Sequence, residues 1–532
     1  MIHGSRGLLW SYALVLAPML VALIRERAPV KKFLQSFLLA VPMTVVGAIV
    51  IALVTPLLHF LGASSDGPIQ VISAAALAAG IGYFSGIALA RGPASDGGYR
   101  RGAVVSAIMT SSGPPGGRDC PNQVTLAGTP IALEDETKHF KLIGTTGTGK
   151  STAISEMLNA ALARGDRAVI ADPDGGYLRH FYDASRGDVI LNPFEPGAVK
   201  WDLLGEIATD QDVDQLARSL IPDSGGSDRI WSGYARTFFT ALIQQSIKAG
   251  IKDDREIHRL VSQASVRELK LLLEASAAAP FLEDGNEKMF GSVRSVTTSA
   301  LEALRYTTKQ DAAAFSVRQW IRRGAAVQNG GRGGVLFIPY QAGEIAALRS
   351  VISAWMRIAI FEAMGQGEGD QRLWFVIDEL DALGEIDGLK DALARLRKFG
   401  GRCVLGFQSI SQVSSTYGQG SADTIVENCG NTLILRCSAS EQGGTSQFAS
   451  RLIGQREVIH LNRSKTRRPS EWVPSVTISE HRAIEPAVMA SEIERLPDLE
   501  GFLKLASIPD WRRVTLSYVS YRLVRRFHSE LQ

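Results

Sequence analysis

The chain opens on long apolar runs. Residues 37–62 and 69–90 contain no Asp, Glu, Lys or Arg. Each can cross a hydrocarbon core as a helix, which takes about 20 apolar residues. Ala63-Ser64-Ser65-Asp66-Gly67-Pro68 between them reads as a short turn. Arg25, Arg27, Lys31 and Lys32 precede the pair, and Arg91, Arg100 and Arg101 follow it. This basic excess predicts a helical hairpin with both ends cytoplasmic and its turn outside. Small residues from Ala74 to Gly82 suit close helix packing. Residues 7–24 form a third uncharged run, slightly short, readable as another span or as an interfacial helix. A cleaved leader is disfavoured, because no Ala-x-Ala-like site precedes Arg25-Glu26-Arg27.

Beyond residue 91 the pattern shortens. Residues 91–137 read as a linker followed by short β structure, with a loop at Ser111–Gly117. Phe140–Ile143, Ala168–Asp172, Asp188–Asn192, Gly334–Ile338, Leu373–Glu379 and Cys403–Gln408 are compact, mostly apolar strands. Helical patterns separate several of them, including Thr152–Leu162 and Leu389–Phe399. Such alternation predicts a mostly parallel sheet with helices on both faces. From Gln211 to Tyr306 strand-like runs nearly vanish and helical periodicity takes over, as at Tyr234, Phe238, Phe239, Leu242 and Ile243. The expected organisation is a membrane segment over 1–95, a sheet domain over 96–210 and 311–532, and an all-α insertion over 211–310.

Chemistry enters at Gly144-Thr145-Thr146-Gly147-Thr148-Gly149-Lys150-Ser151, which matches the P-loop pattern G-x-x-x-x-G-K-[ST] between a strand and a helix. Backbone N–H groups of this loop, continuing to Thr152, would cradle nucleotide phosphates at a helix N-terminus. Lys150 would reach the β- and γ-phosphates of ATP. The strand Leu373–Glu379 ends in two carboxylates, Asp378 and Glu379. With Ser151, Asp378 can hold Mg²⁺, while Glu379 can orient and polarise a water. Gln408, at the tip of another strand, is a candidate for sensing phosphate or placing that water; it also reads as an ordinary loop cap. Arg397 ends a helix, where the macrodipole alone accounts for a basic residue.

Composition adds bounds. The chain has 532 residues, enough for two or three full cores. A net charge of +3 argues neither for nor against nucleic acid. Cys120, Cys403, Cys429 and Cys437 show no paired spacing, so neither a disulfide framework nor a zinc site is expected. Arg463–Arg468, in an expected loop, and Arg522, Arg525 and Arg526 are basic clusters that either track phosphates or simply face solvent.

Taken together, the motifs resemble the type IV coupling proteins of TraD/TrwB type over nearly the whole chain. The matching pieces are the hairpin, Tyr99–Ala103, Glu134–Phe140, the P-loop, Ala171–Tyr177, Ile190–Phe194, Trp201–Leu203, Trp231–Arg236, Asp378–Leu380, Arg397–Gly400, Gln408-Ser409 and Tyr417-Gly418. The resemblance implies a homohexameric ring in the bacterial inner membrane, with a RecA-like motor domain and a membrane-distal all-α domain. It implies DNA-stimulated ATP hydrolysis with Mg²⁺. It also implies recruitment of a relaxase with its single strand to the inner-membrane components of a type IV secretion channel. Arg397 matches the position of a finger that completes a neighbour's nucleotide site. There are departures. Glu195–Val199 lacks the arginine usual after the Asn-Pro-Phe segment, with Lys200 the nearest cation. The third apolar run is unusual, and docking through a long acidic tail is not expected. Alternative readings keep the fold and differ in what it drives. They are an FtsK/HerA-like DNA pump, a coupling protein for protein effectors, and a nucleotide-gated docking platform that does not pump.

Overall fold

A computed structural model describes residues 2–26, 28, 30–60, 68–91, 98–106, 123–223, 229–326, 333–369, 371–440, 444–466 and 475–526. Most of the expected turn at 63–68, the loop at 111–117, Cys120 and Arg467-Arg468 lie outside these residues. The chain divides into two units, Met1–Arg101 with Arg456–Glu485, and Gly102–Gln455 with Pro486–Gln532. Residues 456–485, expected within the C-terminal segment, thus cluster with the N-terminal hundred.

Among the described residues the first unit holds three helices, α1 (Ile2–Arg25), α2 (Val30–Phe60) and α3 (Pro68–Arg91). Among the described residues two stretches, Lys32–Leu53 and Ile72–Ala90, are long and apolar enough to cross a membrane, and Trp10–Arg25 is a shorter apolar helix. Gly98–Gly102, Gln455–Thr466 and Ser475–Pro486 form a three-stranded sheet. Arg100 and Arg101 both pair with Glu457 there. This corrects one expectation: Arg463–Thr466 belongs to a strand, not a loop. That strand is largely polar, so it lacks the apolar alternation that reveals a half-buried strand.

In the second unit the central strands are buried and mostly apolar because both faces of their sheet are covered. Leu373–Ile377 and Gly401–Phe407 are buried at every position. Side chains alternate between faces. Trp374 and Val376 pack with Ile154, Met157 and Leu158 of the P-loop helix Lys150–Ala163. Phe375 and Ile377 join the opposite core with Trp355 and Ile358 of Ile345–Gly365. Seven strands run parallel, in the order Asn431–Ile434, Phe140–Ile143, Gly401–Phe407, Leu373–Ile377, Arg167–Pro173, Val335–Tyr340, Val189–Ile190. Glu500–Lys504 and Trp511–Thr515 extend the sheet antiparallel beyond Asn431–Ile434.

Between Asp210 and Thr307 the described residues are helical, with no strand. The ends of this stretch are pinned together. Lys200–Trp201 pairs with Ala314–Phe315. Buried Glu206 accepts hydrogen bonds from Trp201 Nε1, Ser316 Oγ and the Val317 and Arg318 amides. Four donors satisfy a carboxylate that burial would otherwise disfavour.

Candidate functional site

All the parallel strands end on one edge, and the sequence motifs gather there. The P-loop leaves Phe140–Ile143 and turns into Lys150–Ala163. Gly147 and Gly149 take positive φ, 78° and 118°. At Gly149 the φ of 118° favours glycine, and a Cβ there would also crowd Leu499 Cδ2 (2.9 Å) and Leu516 Cδ1 (3.0 Å), which would have to shift. The loop is braced from outside: Thr145 N donates to Arg436 O (2.9 Å) and Leu499 N to Thr148 O (3.0 Å). Lys150 Nζ curls under the loop, donating to Gly144 O at 2.7 Å and Thr145 O at 3.3 Å. Burial lowers the ammonium's pKa, and the carboxylates of Asp378 and Glu379 oppose that shift.

Opposite the loop stand the two acids after Leu373–Ile377. Ser151 Oγ donates to Asp378 Oδ2 at 2.7 Å. The second oxygen, Oδ1, is buried and makes no hydrogen bond among the described residues. A serine hydroxyl beside a carboxylate with an unclaimed oxygen is a donor set suited to a hard divalent cation. Glu379 is half-buried. Burial raises its pKa, the Gln408 amide opposes this, and Asp378 and Asp381 add to the rise.

Gln408 joins the two halves. Its Oε1 accepts from Thr146 Oγ1 (2.8 Å) and its Nε2 donates to Glu379 Oε1 (2.8 Å).

Two residues at this edge have no role that the sequence alone assigns. Tyr177 OH donates to Asp378 Oδ2 at 2.7 Å across 201 positions of sequence. Asp172, fully buried, accepts from the Tyr177 and Leu178 amides (3.0 and 2.7 Å), capping the helix Gly176–Phe181. Burial pushes its carboxyl up to about 7, against the pull of those amides. Both lie in the Ala171–Tyr177 segment, but nothing in its linear pattern says which carboxylate Tyr177 meets.

Arg397 is not brought to this site. It is exposed in the short helix Arg397–Phe399, just before Gly401–Phe407, whereas Gln408 follows that strand. The strand separates them by about 20 Å at 3.3 Å per residue. Of the basic C-terminal cluster, Arg525 stacks on Tyr182 and donates to Pro196 O, beside the Asn192-Pro193-Phe194 segment.

Comparison with known proteins agrees with this geometry. Residues 123–517 match the family described as type IV secretion-system coupling protein DNA-binding domain. Coupling protein TraD of Escherichia coli strain K12 is 31% identical over 400 residues, covering 75% of this chain and 55% of TraD. Conjugal transfer protein TraG of Escherichia coli is 24% identical over 351 residues, covering 57% of this chain and 53% of TraG. The chain thus spans about half the length of these relatives. The solved bacterial conjugative coupling protein TrwBdeltaN70 superposes with a TM-score of 0.70 at 29% identity, covering 82% of this chain and 97% of that one. TrwB has also been solved with a non-hydrolysable ATP analogue and with ADP and Mg²⁺, each at a TM-score of 0.69, 29% identity and 82% of this chain, with 98% and 97% of those chains covered. The sheet carrying this loop is a P-loop NTPase fold, and the chain belongs to the type IV secretion-system coupling protein family.

Proposed function

We propose that this chain is a membrane-anchored ATPase that couples a relaxase-bound single strand of DNA to a type IV secretion channel and drives the strand toward it. The observation that carries the reading is the continuous link Thr146–Gln408–Glu379, which ties the phosphate-binding loop to the acid placed to act on water. In this reading the P-loop amides and Lys150 bind the ATP phosphates. Asp378 and Ser151 would hold Mg²⁺, which when bound screens phosphate charge. Glu379 takes the proton of the attacking water, and its raised pKa makes it a better acceptor once ionised. Gln408 keeps Glu379 oriented and reports on the loop through Thr146.

Arg397 lies too far from its own P-loop to act there, which supports a role on a neighbour in a homohexameric ring. The apolar stretches of α2 and α3 support a multi-pass inner-membrane anchor, with basic flanks holding the P-loop in the cytoplasm. DNA contact by a ring is sequence-independent and runs through phosphates.

The test is plasmid transfer with Lys150→Ala. Transfer and ATP turnover should both be abolished while membrane insertion persists. Undiminished transfer would contradict the reading, and lost turnover with intact transfer would favour the docking platform.

A further inference from the structure

α1 has an apolar outer face that a two-helix hairpin leaves unexplained. Trp10, Leu14, Val21 and Ile24 are exposed, while Val15, Met19, Ala22 and Leu23 are buried. The buried side meets α3 at two glycines one turn apart. A Cβ on Gly82 would lie 2.1 Å from Val15 O, and one on Gly86 would lie 2.6 Å from Met19 O. Backbone approaches backbone at both points, which only glycine permits.

These contacts also fix direction. Residue 15 meets 82 and residue 19 meets 86, the same offset, so α1 runs parallel to α3. Lys32 Nζ, near the start of α2, donates to Ala90 O at the end of α3 (2.8 Å), so α2 runs antiparallel to α3. Arg25 Nη1 donates to Tyr83 OH (2.7 Å), and Tyr12 OH donates to Phe37 O (2.8 Å). The end of α1, the start of α2 and the end of α3 form one basic end of a three-helix bundle.

We propose that α1 is a third membrane span, parallel to α3, whose exposed face takes lipid acyl chains. The start of α1 at Ile2 then lies on the non-cytoplasmic side. This rests on reading α2 and α3 as a membrane hairpin. At 24 residues α1 is about 36 Å long, enough for a core of about 30 Å. Its exposed apolar residues join exposed Leu38, Val45 and Leu53 of α2 and Ile72 and Phe84 of α3 in leaving apolar side chains outward on every helix of the bundle. A helix lying in the interface carries a charged face opposite its apolar one. Residues 7–24 have no charge on any side. Pro18 within α1 is tolerated where neighbouring helices compensate.

Single cysteines in the full chain, with Cys120→Ser removing a background thiol, test this in right-side-out membrane vesicles. The probe is a membrane-impermeant maleimide. Ser5→Cys and Ser64→Cys should both label without detergent, to similar extents. If Ser64→Cys labels and Ser5→Cys needs detergent, α1 does not cross and the proposal fails. If Ser64→Cys also needs detergent, the hairpin reading itself fails. Adding Gly82→Leu should reduce labelling of Ser5→Cys, whereas Gly80→Leu, at a position with nothing within 4 Å, should not. Equal labelling in those two chains would overturn the helix pairing.

Discussion

Gln408 Nε2 donates to Glu379 Oε1 at 2.8 Å, and the same amide accepts from Thr146 of the P-loop. One side chain thus hydrogen-bonds both the P-loop and the acid. Glu379→Gln should leave ATP binding intact and slow hydrolysis about 10²–10⁴-fold. Gln408→Ala, by freeing Glu379, should slow it about 10²-fold. In the double variant the two losses should not multiply, because Gln408 acts through Glu379. Fully multiplicative losses in a double-mutant cycle would separate the two residues.

Tyr177 gives Asp378 a second donor beside Ser151. Partners of metal-binding carboxylates typically contribute about 10–100-fold in metal affinity. Tyr177→Phe should therefore raise the Mg²⁺ concentration needed for half-maximal turnover by about that factor. Nucleotide binding measured in EDTA should not change. A loss of nucleotide binding in EDTA would indicate that the hydroxyl supports the fold and not the carboxylate.

His139 ties acid stability to one tautomer. Its Nδ1 accepts from the Cys403 amide at 3.1 Å, and its other nitrogen faces Leu393 O at 2.9 Å. Only the neutral ring, protonated at Nε2, satisfies both. Burial pulls its pKa from 6.5 to about 4, and the charges of Arg397 and Arg402 act the same way. Between those values the unfolded chain binds more protons than the folded one, so stability falls as pH drops from 6.5 toward 4. His139→Asn suits the residue's φ of 57° and should flatten that part of the melting profile, although its baseline is lower. An equally steep profile in the variant would assign the acid sensitivity elsewhere.

Arg397 should complement in trans. Arg397→Ala alone should reduce turnover by about 10³-fold, the range of an arginine finger. Mixed with Lys150→Ala subunits, some rings would place an intact Arg397 beside an intact P-loop. Partial recovery of turnover on mixing supports the role, and no recovery at any ratio argues against it.

The edge where these motifs gather is largely legible in the sequence because its parts are local patterns. Gly144–Ser151 and Leu373–Glu379 each announce their chemistry in a short run, and the sheet brings them together as buried parallel strands must. Tyr177 sits in a recognisable segment, yet its meaning depends on a hydroxyl reaching Asp378 from the helix Gly176–Phe181. Arg463–Thr466 reads as a loop because a polar strand has no apolar period. The close approach of Gly82 to Val15 is hidden for another reason. Small residues fill the second apolar run from Ala74 onward, and composition does not say which of them touches a neighbour.

This P-loop, on the reading above, hydrolyses ATP in the service of moving DNA. Steady-state ATP turnover by the full chain in membranes, with and without single-stranded DNA and beside Glu379→Gln, tests that link without intermediaries. Turnover should rise with DNA, and the Glu379→Gln chain should bind ATP but stay silent under both conditions. Turnover indifferent to DNA, or undiminished in Glu379→Gln, would contradict it.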